Sequence, residues 1–345
     1  NEEQNINGIL ECIKNQDYDH NNMEVVLVDG ASTDNTRALM CEFALDNKDE
    51  FRRVVVLDNP KKTLPSGWNV ALREYKGDAI IKVDAHAVIP EDFVSKNVRV
   101  LETGEYICGG QRPNIIDKPT PFKETLLLAE SSMFGSSIAS YRNNPGKTYV
   151  KSLFHAAYRR EVFEKVGFFN EELVRTEDNE IHYRMRKAGY KLCFDPDIIS
   201  YQYTRSSLKA MLKQKYANGY WIGKTSKVCP KCLSIYHFVP FAFVSAIIAS
   251  GSVIGATGLA ECIKKRHNHT LGKGISALRK VTVVLTTVMW VLYALMASGM
   301  AAVSAFKAED KRNITNACLP VLFLLLHLSY GIGTIAGLMD KSKRG

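Results

Sequence analysis

The sequence places a carboxylate and an imidazole close together at the end of an apolar strand. Residues 80–83 predict a buried strand, and the chain then continues into Asp84, Ala85 and His86. Side chains two residues apart in an extended segment point the same way, so Asp84 and His86 can reach one ion. Such a pair suits a divalent cation that bridges a nucleotide diphosphate. The alternative is an ordinary strand end with a solvated aspartate and a capping histidine.

Two further aspartates close predicted strands in the same half of the chain. Asp29 ends the apolar run 23–29, and Asp58 ends the run 53–58. Ligands of parallel α/β sheets bind beyond the carboxyl ends of the strands, where these carboxylates and Asp84 would meet. A carboxylate there can accept hydrogen bonds from a base or a ribose, which favours a nucleotide as the ligand.

Two other side chains lie at the starts of predicted elements. Asp178 follows Thr176 and Glu177 at the beginning of a helix, where an aspartate either caps the helix or accepts a proton. His155 precedes a strand-to-helix turn, and both a structural role and a substrate contact are open for it.

The elements that must position these residues alternate between strands and helices. Strands are predicted over 23–29, 53–58 and 78–84, with helices from about Asp34, over 65–75 and from Pro90 to about Leu101. Later, residues 149–167 predict a strand and then a helix, 177–189 an amphipathic helix, and 207–221 a basic amphipathic helix. This alternation, with nearly continuous apolar strands, predicts an α/β domain whose sheet is mostly parallel and covered by helices.

Three long uncharged runs follow the α/β pattern, over 233–260, 281–306 and 314–339. Each exceeds the ~20 apolar residues that cross a bilayer, whereas core helices of soluble domains rarely run so far without a charge. The sequence therefore predicts a domain over 1–225 and a membrane region over 226–345.

The net charge of +9 is concentrated beside the apolar runs. Basic clusters in that position suit anionic lipid headgroups and do not predict nucleic-acid binding, which needs a basic face on the soluble part. We expect Lys209, Lys213 and Lys215 of the helix over 207–221 to face headgroups. Cys229 and Cys232 form a lone CxxC pair, whereas a zinc site needs two more ligands nearby.

An ordered set of motifs makes the chain resemble a known family. The stretches are VVLVDGASTDNT at 25–36, VDAH at 83–86, FHAAYRREVFEKVG at 154–167 and TED at 176–178. Together they resemble the inverting family 2 glycosyltransferases with the GT-A fold, and in particular the membrane-attached exopolysaccharide transferases of the succinoglycan type. The resemblance implies a GT-A-like α/β fold, a first strand before Asn1 and C-terminal transmembrane helices.

The resemblance also implies roles for individual residues. Asp178 corresponds to the general base that deprotonates the acceptor hydroxyl, and Asp84 with His86 to the Asp-x-Asp pair that holds Mn²⁺ or Mg²⁺. The residues that correspond to nucleotide-sugar contacts are Glu2, Asp29, Ser32, Asp84 and Glu177.

Two positions depart from the family pattern. Gly30 stands where the family commonly has a second aspartate, so no carboxylate is available there. His86 replaces the second aspartate of the metal motif, and an imidazole ligand suits Mn²⁺ better than Mg²⁺.

The function that the resemblance implies is transfer of one sugar, with inversion, from a nucleotide diphosphate donor, expected to be a UDP-sugar. The acceptor is expected to be a lipid-linked, polyprenyl-type saccharide of cell-surface or exopolysaccharide synthesis. The expected location is the inner membrane, with several spans and a cytoplasmic catalytic domain. A catalytically silent nucleotide-sugar-binding scaffold is the alternative. A nucleotidyltransferase would predict a glycine-rich phosphate loop, which the sequence lacks.

The positions of the basic stretches beside the apolar runs predict the number of membrane spans. Three spans would put the basic stretch 261–280 and the tail 341–344 on the outer side, against the positive-inside rule. We therefore predict two full spans and a first segment that lies in the interface or re-enters. Pro240 and three glycines within 251–258 would permit the required bend.

Overall fold

A computed structural model describes residues 1–135, 146–266, 272–308 and 312–341. The first part of the chain alternates between helices and strands as the hydrophobic pattern predicts. The elements are α1 (Ile6–Lys14), β1 (Glu24–Asp29), α2 (Thr36–Asp46), β2 (Arg53–Asp58), α3 (Leu64–Glu74) and β3 (Ala79–Ile81). Strands β1 and β2 are parallel, and their register sets Asp29 opposite Asp58. Two of the three predicted strand-end aspartates therefore meet at one edge.

Strand β3 is shorter than the run 78–84 that the sequence predicts. It ends at Ile81, so Asp84 lies three residues beyond it. Lys82, the first residue after the strand, still donates its backbone N–H to the Ala156 carbonyl at 3.0 Å. The chain therefore stays beside its neighbouring strand until it turns into the Asp84 to His86 segment.

The rest of the domain completes a mixed sheet. Its elements are β4 (Ala87–Val88), α4 (Phe93–Glu102), β5 (Ile107–Gln111), β6 (Asn114–Ile115), α5 (Pro121–Ser131), β7 (Thr148–Val150), β8 (Ala156–Arg159), α6 (Arg160–Val166), α7 (Glu177–Lys187), β9 (Leu192–Ile199) and β10 (Tyr201–Tyr203). The main sheet has the order β3-β8-β5-β9-β7, in which only β5 and β9 pair in parallel. The sheet is mixed, as the resemblance implies, and less parallel than the strand–helix alternation predicts.

Alternate residues of the sheet face two separate apolar cores. Cys108 and Ala157 belong to a core with helices α1, α2 and α4, whereas Ile107, Ala156 and Tyr158 belong to a core with α3, α6 and α7. Helices cover both faces of the sheet, which explains why its strands are apolar on both sides. This two-sided packing fixes the positions at which the strands end.

Four helices complete the described chain: α8 (Leu208–Val228), α9 (Val239–Arg266), α10 (Lys273–Lys307) and α11 (Leu319–Met339). Among the described residues, three helical stretches are long and apolar enough to cross a membrane: Ile235–Arg266, Lys273–Lys307 and Ile314–Met339. Helix α9 runs without interruption through its glycines, which a helix tolerates at a cost of only ~1 kcal/mol each. The interfacial or re-entrant placement of this first segment stays a prediction.

Helices α8 and α11 pack side by side with their backbones in contact. A Cβ atom on Gly219 would lie 2.0 Å from the Tyr330 carbonyl oxygen, and one on Gly333 would lie 2.1 Å from that of Tyr216. The Ser329 hydroxyl donates to the Leu212 carbonyl at 2.8 Å. The contact partners advance in the same chain direction along both helices, so the two helices run in parallel. We call this contact the glycine seam.

Lys215 lies inside this packing and not toward headgroups, so that expectation is wrong. Its Nζ is 3.5 Å from Glu130 Oε1, and each side chain is only 7% exposed. Glu130 also accepts a hydrogen bond of 2.8 Å from the Thr204 hydroxyl. Burying both charges is tolerated because they are paired and hydrogen-bonded.

Candidate active site

Asp84 is buried beside a histidine at the end of the sheet. His155 Nε2 lies 3.7 Å from Asp84 Oδ2, and His155 Nδ1 is 2.9 Å from the Ser200 hydroxyl. Burial alone would raise the pKa of Asp84, but His155 and the nearby Lys82 hold this pKa well below its usual range. Asp84 is therefore a fixed negative charge, and His155 is the residue that orients it.

His86 takes a more open position next to Glu2. Its Nδ1 lies 3.5 Å from Glu2 Oε1, and both side chains are one-third exposed. The contact with Glu2 raises the pKa of His86, and the charge of Asp84 adds to this effect. The structure therefore brings three predicted site residues together: Glu2, Asp84 and His86.

The donors around Asp84 fit a cation that is shared with a ligand. No group of three or more His, Cys, Asp or Glu side chains within the described ranges could hold a metal ion alone. Asp84 and His86 supply one hard oxygen and one imidazole nitrogen, and His155 Nε2 is buried there with no hydrogen-bond partner among the described residues. Mn²⁺ accepts such mixed ligands, and a bound diphosphate would supply further oxygens. The residues present fit a divalent cation whose shell a diphosphate completes.

Asp29 closes β1 and organises the turn that follows it. It is buried and accepts the backbone N–H of Ser32 at 3.1 Å. Ala31, within this turn, has a φ of 56°, a conformation that few non-glycine residues adopt. Asp58, its partner across the sheet, is exposed and pairs with Arg37 at 3.0 Å. The nucleotide contacts of Asp29 and Ser32 stay predictions.

Glu2 ties the start of α1 to the same turn. Its backbone N–H donates to the Thr36 hydroxyl at 2.7 Å, and its side chain accepts from Asn5 at 2.8 Å. Contact with His86 is the main reason that the pKa of Glu2 is lowered. Glu2 therefore lies between the β1–α2 turn and the Asp84–His86 segment, as a nucleoside contact would require.

Asp178 lies in the first turn of α7 and points into the site. Its Oδ1 is 2.5 Å from Lys82 Nζ, and its side chain is 17% exposed. The N-cap residue is Thr176, and no side-chain hydrogen bond caps the helix. The capping role that the sequence left open is therefore not the one that Asp178 plays.

Lys82 is the site residue that the sequence analysis missed. Its side chain is 5% exposed, and its Nζ lies 5.1 Å from the ring centre of Trp68, 5.7 Å from Phe154 and 5.8 Å from Phe169. Burial alone would lower its pKa, but Asp178 and Glu177 raise it above the ordinary value. The only signal in the sequence is a lysine inside the apolar run IIKVD.

Glu177 is buried behind Asp178 and stays apart from the open edge. Burial, followed by the negative charge of Asp178, raises its pKa to about 8. Within the part of the chain that the structure describes, its Oε2 has no hydrogen-bond partner. Burial and the neighbouring Asp178 therefore favour the neutral form of Glu177 at neutral pH. A contact of Glu177 with the nucleotide sugar remains a prediction.

Comparison with known proteins supports the resemblance. Residues 1–167 match the family model described as "Glycosyl transferase family 2". The succinoglycan biosynthesis protein ExoA of Rhizobium meliloti is 30% identical over 203 residues, which cover 57% of this chain and 59% of ExoA. The chain thus spans less than two-thirds of that relative.

A second relative comes from an archaeon. The dolichyl N-acetyl-alpha-D-glucosaminyl phosphate 3-beta-D-2,3-diacetamido-2,3-dideoxy-beta-D-glucuronosyltransferase of Methanococcus voltae is 27% identical over 256 residues. The match covers 72% of this chain and 78% of the relative.

A solved structure shares the fold. The mannosyltransferase PcManGT from Pyrobaculum calidifontis, solved in complex with GDP-Man and Mn²⁺, superposes with a TM-score of 0.57 at 17% sequence identity. The match covers 98% of this chain and 84% of PcManGT. Residues 1–167 therefore belong to glycosyltransferase family 2, within a GT-A-like α/β fold that three long apolar helices follow.

Proposed function

We propose that this protein transfers a single sugar, with inversion, from a nucleotide diphosphate donor of the UDP type to a hydroxyl of a lipid-linked saccharide. The observation that carries the proposal is that Asp178, a partly exposed carboxylate, pairs with Lys82, which lies two residues before Asp84 in the chain. The Methanococcus relative, whose name includes a dolichyl phosphate, supports a lipid-linked acceptor. Long apolar helices support it as well, because such an acceptor stays in the bilayer.

In the proposed reaction, Asp178 accepts the proton of the acceptor hydroxyl. The acceptor oxygen attacks the anomeric carbon from the face opposite the diphosphate, the new glycosidic bond forms and the bond to the diphosphate oxygen breaks. Asp84 and His86 would hold Mn²⁺ or Mg²⁺, which supplies positive charge next to the leaving diphosphate. Inversion follows because attack and departure take place on opposite faces.

A panel of radiolabelled nucleotide sugars tests the proposal. Membranes that contain the protein are incubated with each donor, and label in the lipid extract is measured. We expect one UDP-sugar to label the lipid fraction when Mn²⁺ is present and not when EDTA is present. Binding of UDP without label transfer from any donor would contradict the proposal and indicate a silent scaffold.

We further propose that α9 and α10 cross the membrane, whereas α11 remains on the catalytic domain. Helix α11 runs in parallel with α8 along the glycine seam. In its apolar stretch 39% of the residues are buried, against 6% in the apolar stretches of α9 and α10. Helix α8 carries Lys209, Lys213, Lys224 and Lys227. A spanning α11 would carry these lysines into hydrocarbon, at ~2.5–3.5 kcal/mol for each one near the centre.

Helices α9 and α10 form an antiparallel pair. The rings of Phe243 and Trp290 are 5.7 Å apart, and Arg279 pairs with Glu261 near the other end. Crossing as a hairpin places the basic turn of this pair on the far side. That placement opposes the positive-inside rule. The burial of α11 therefore predicts that the basic turn lies outside, whereas the charge bias predicts that it lies inside.

Cysteine accessibility separates the two predictions. In a cysteine-free background, single cysteines replace Asn268 and Ser342, which both lie outside the described residues, and intact cells are labelled with an impermeant maleimide. We expect labelling at 268 and none at 342. Labelling of both sites would establish three spans. Labelling of neither would show that α9 does not cross, as charge alone predicts. Either result contradicts the proposed hairpin.

A further inference from the structure

Lys82 holds one of the two oxygens of the Asp178 carboxylate. Lys82 Nζ donates to Asp178 Oδ1 at 2.5 Å, and within the part of the chain that the structure describes Asp178 makes no other hydrogen bond. The Asp178 side chain keeps 17% of its surface exposed, whereas that of Lys82 keeps 5%. One oxygen of the carboxylate is therefore held from inside, and the other is available at the open edge.

The ammonium group of Lys82 has little room to move. Three aromatic rings surround it, from Trp68, Phe154 and Phe169, each with its centre within 5.8 Å of Nζ. The backbone of Lys82 is fixed as well, through its N–H bond to Ala156. A side chain that is confined in this way is suited to holding its partner in one orientation.

Stability alone gives a poor reason for a lysine at this position. Burying a charged pair costs desolvation energy, and replacing such a pair with well-packed apolar side chains is often neutral or stabilising. Three aromatic rings around Nζ would pack well against an apolar residue. A charge in this cage is therefore better explained by what it does to Asp178.

We propose that Lys82 is a positioning residue: it fixes Asp178 Oδ1 and thereby directs Asp178 Oδ2 toward the acceptor hydroxyl. This inference rests on the proposed function. The acceptor O–H gives its proton to Oδ2 while its oxygen bonds to the anomeric carbon and the diphosphate departs. Lys82 stays protonated throughout and exchanges no proton with the substrate. The proton later leaves Asp178 through the exposed side of the carboxylate.

Three substitutions test the proposal. Lys82→Met removes the charge at similar length, and Lys82→Arg keeps the charge. Arg184→Met is the matched control, since Arg184 pairs with Glu180 at 2.6 Å on the same helix as Asp178 but outside the site. Single-turnover transfer is measured with the donor found by the radiolabelled panel, and donor affinity is measured by calorimetry.

We expect Lys82→Met to slow transfer by ~10²-fold, the scale on which small misplacements of a catalytic group act, while donor Kd changes less than ~3-fold. Lys82→Arg should restore transfer to within ~10-fold of wild type, because an arginine keeps a donor beside Oδ1. Arg184→Met should transfer at the wild-type rate. Transfer by Lys82→Met at the wild-type rate would overturn the proposal, and so would equal losses in Lys82→Met and Lys82→Arg.

A thermal double-mutant cycle separates this inference from the proposed function. It compares the Tm of wild type, Lys82→Met, Asp178→Asn and the double variant. We expect the double variant to be more stable than the sum of the single losses predicts, because each single change removes one charge of the pair and leaves the opposite charge without its ionic partner. An additive cycle overturns the Lys82–Asp178 pair whether or not sugar transfer is found. Coupling without any transfer by wild type would refute the proposed function and, with it, the positioning role.

Discussion

Two buried lysines of this protein pair with carboxylates in different regions, and the two carboxylates differ in how much of their surface is exposed. In the candidate site, Lys82 holds Asp178, whose side chain is 17% exposed. Beside the glycine seam, Lys215 holds Glu130, which is 7% exposed and also accepts the Thr204 hydroxyl. The Glu130 pair is closed on every side that the described residues show, whereas the Asp178 pair has one free carboxylate edge.

The difference shows that burial of an ion pair does not by itself identify a reactive group. A closed pair joins elements, here α5 and α8, and contributes to the fold. An open pair holds a charge next to a place where a substrate can reach it. Substitutions at the site should therefore change ligand binding or transfer, and substitutions beside the seam should change stability.

The largest expected effect is at Asp84. Asp84→Ala removes the carboxylate that we propose for the divalent cation, so Mn²⁺-dependent UDP binding should be lost. Calorimetry with UDP, with and without Mn²⁺, measures this. Asp195→Ala is a suitable control, because the Asp195 side chain is 17% exposed, close to the 13% of Asp84, but pairs with Lys147. Unchanged Mn²⁺-dependent binding in Asp84→Ala would place the cation elsewhere.

Beside the seam, Glu130→Gln should act on stability. It removes the carboxylate charge that faces the buried Lys215, and breaking a buried pair costs ~3–5 kcal/mol. Chemical denaturation in detergent should show a loss of about this size, with UDP affinity per folded molecule unchanged. A weaker UDP affinity with full stability would remove the distinction between the two pairs.

A smaller effect, which depends on pH, should arise beneath the site. His182 is buried against Tyr158, with 2.8 Å between Nε2 and the hydroxyl, and burial lowers its pKa to about 4. The unfolded chain takes up this proton near pH 6.5, so stability should fall as pH drops from about 6.5 to 4. The slope from this one group is ~1.4 kcal/mol per pH unit at most.

His182→Gln isolates this term, because it removes the titrating ring and no other acid-sensitive group. Chemical denaturation gives the free energies of unfolding of wild type and His182→Gln between pH 7 and 4, and these two free energies should converge as pH falls. A constant difference between the two free energies across this pH range would show that His182 is not held neutral in the folded protein.

The sequence predicted the fold well where apolar runs are long. Strand β2 was predicted at its observed bounds, β1 within one residue, and Gly189 follows the end of α7 with a φ of 97°, as a helix stop requires. The fold class is confirmed by the comparison with PcManGT. These features depend on local pattern and backbone chemistry, which a single sequence contains.

Features that depend on packing between distant segments were missed. Lys82 was not selected because a lysine within a strand usually reaches solvent, and only the tertiary fold surrounds it with three rings. Gly219 contacts Tyr330 and Gly333 contacts Tyr216 across helices that are far apart in the chain, so these contacts could not be read from spacing. Lys215 was assigned to headgroups for the same reason, since its partner Glu130 is far away in sequence.

The most direct test of the central claim, that Asp178 accepts the acceptor proton, is single-turnover transfer by Asp178→Asn with donor binding measured on the same sample. Asparagine keeps the shape and can still accept a hydrogen bond from Lys82, but it cannot take up the proton. We predict a loss of at least ~10²-fold in transfer with donor Kd nearly unchanged. Transfer at the wild-type rate would contradict the account and leave Asp178 as only the partner of Lys82.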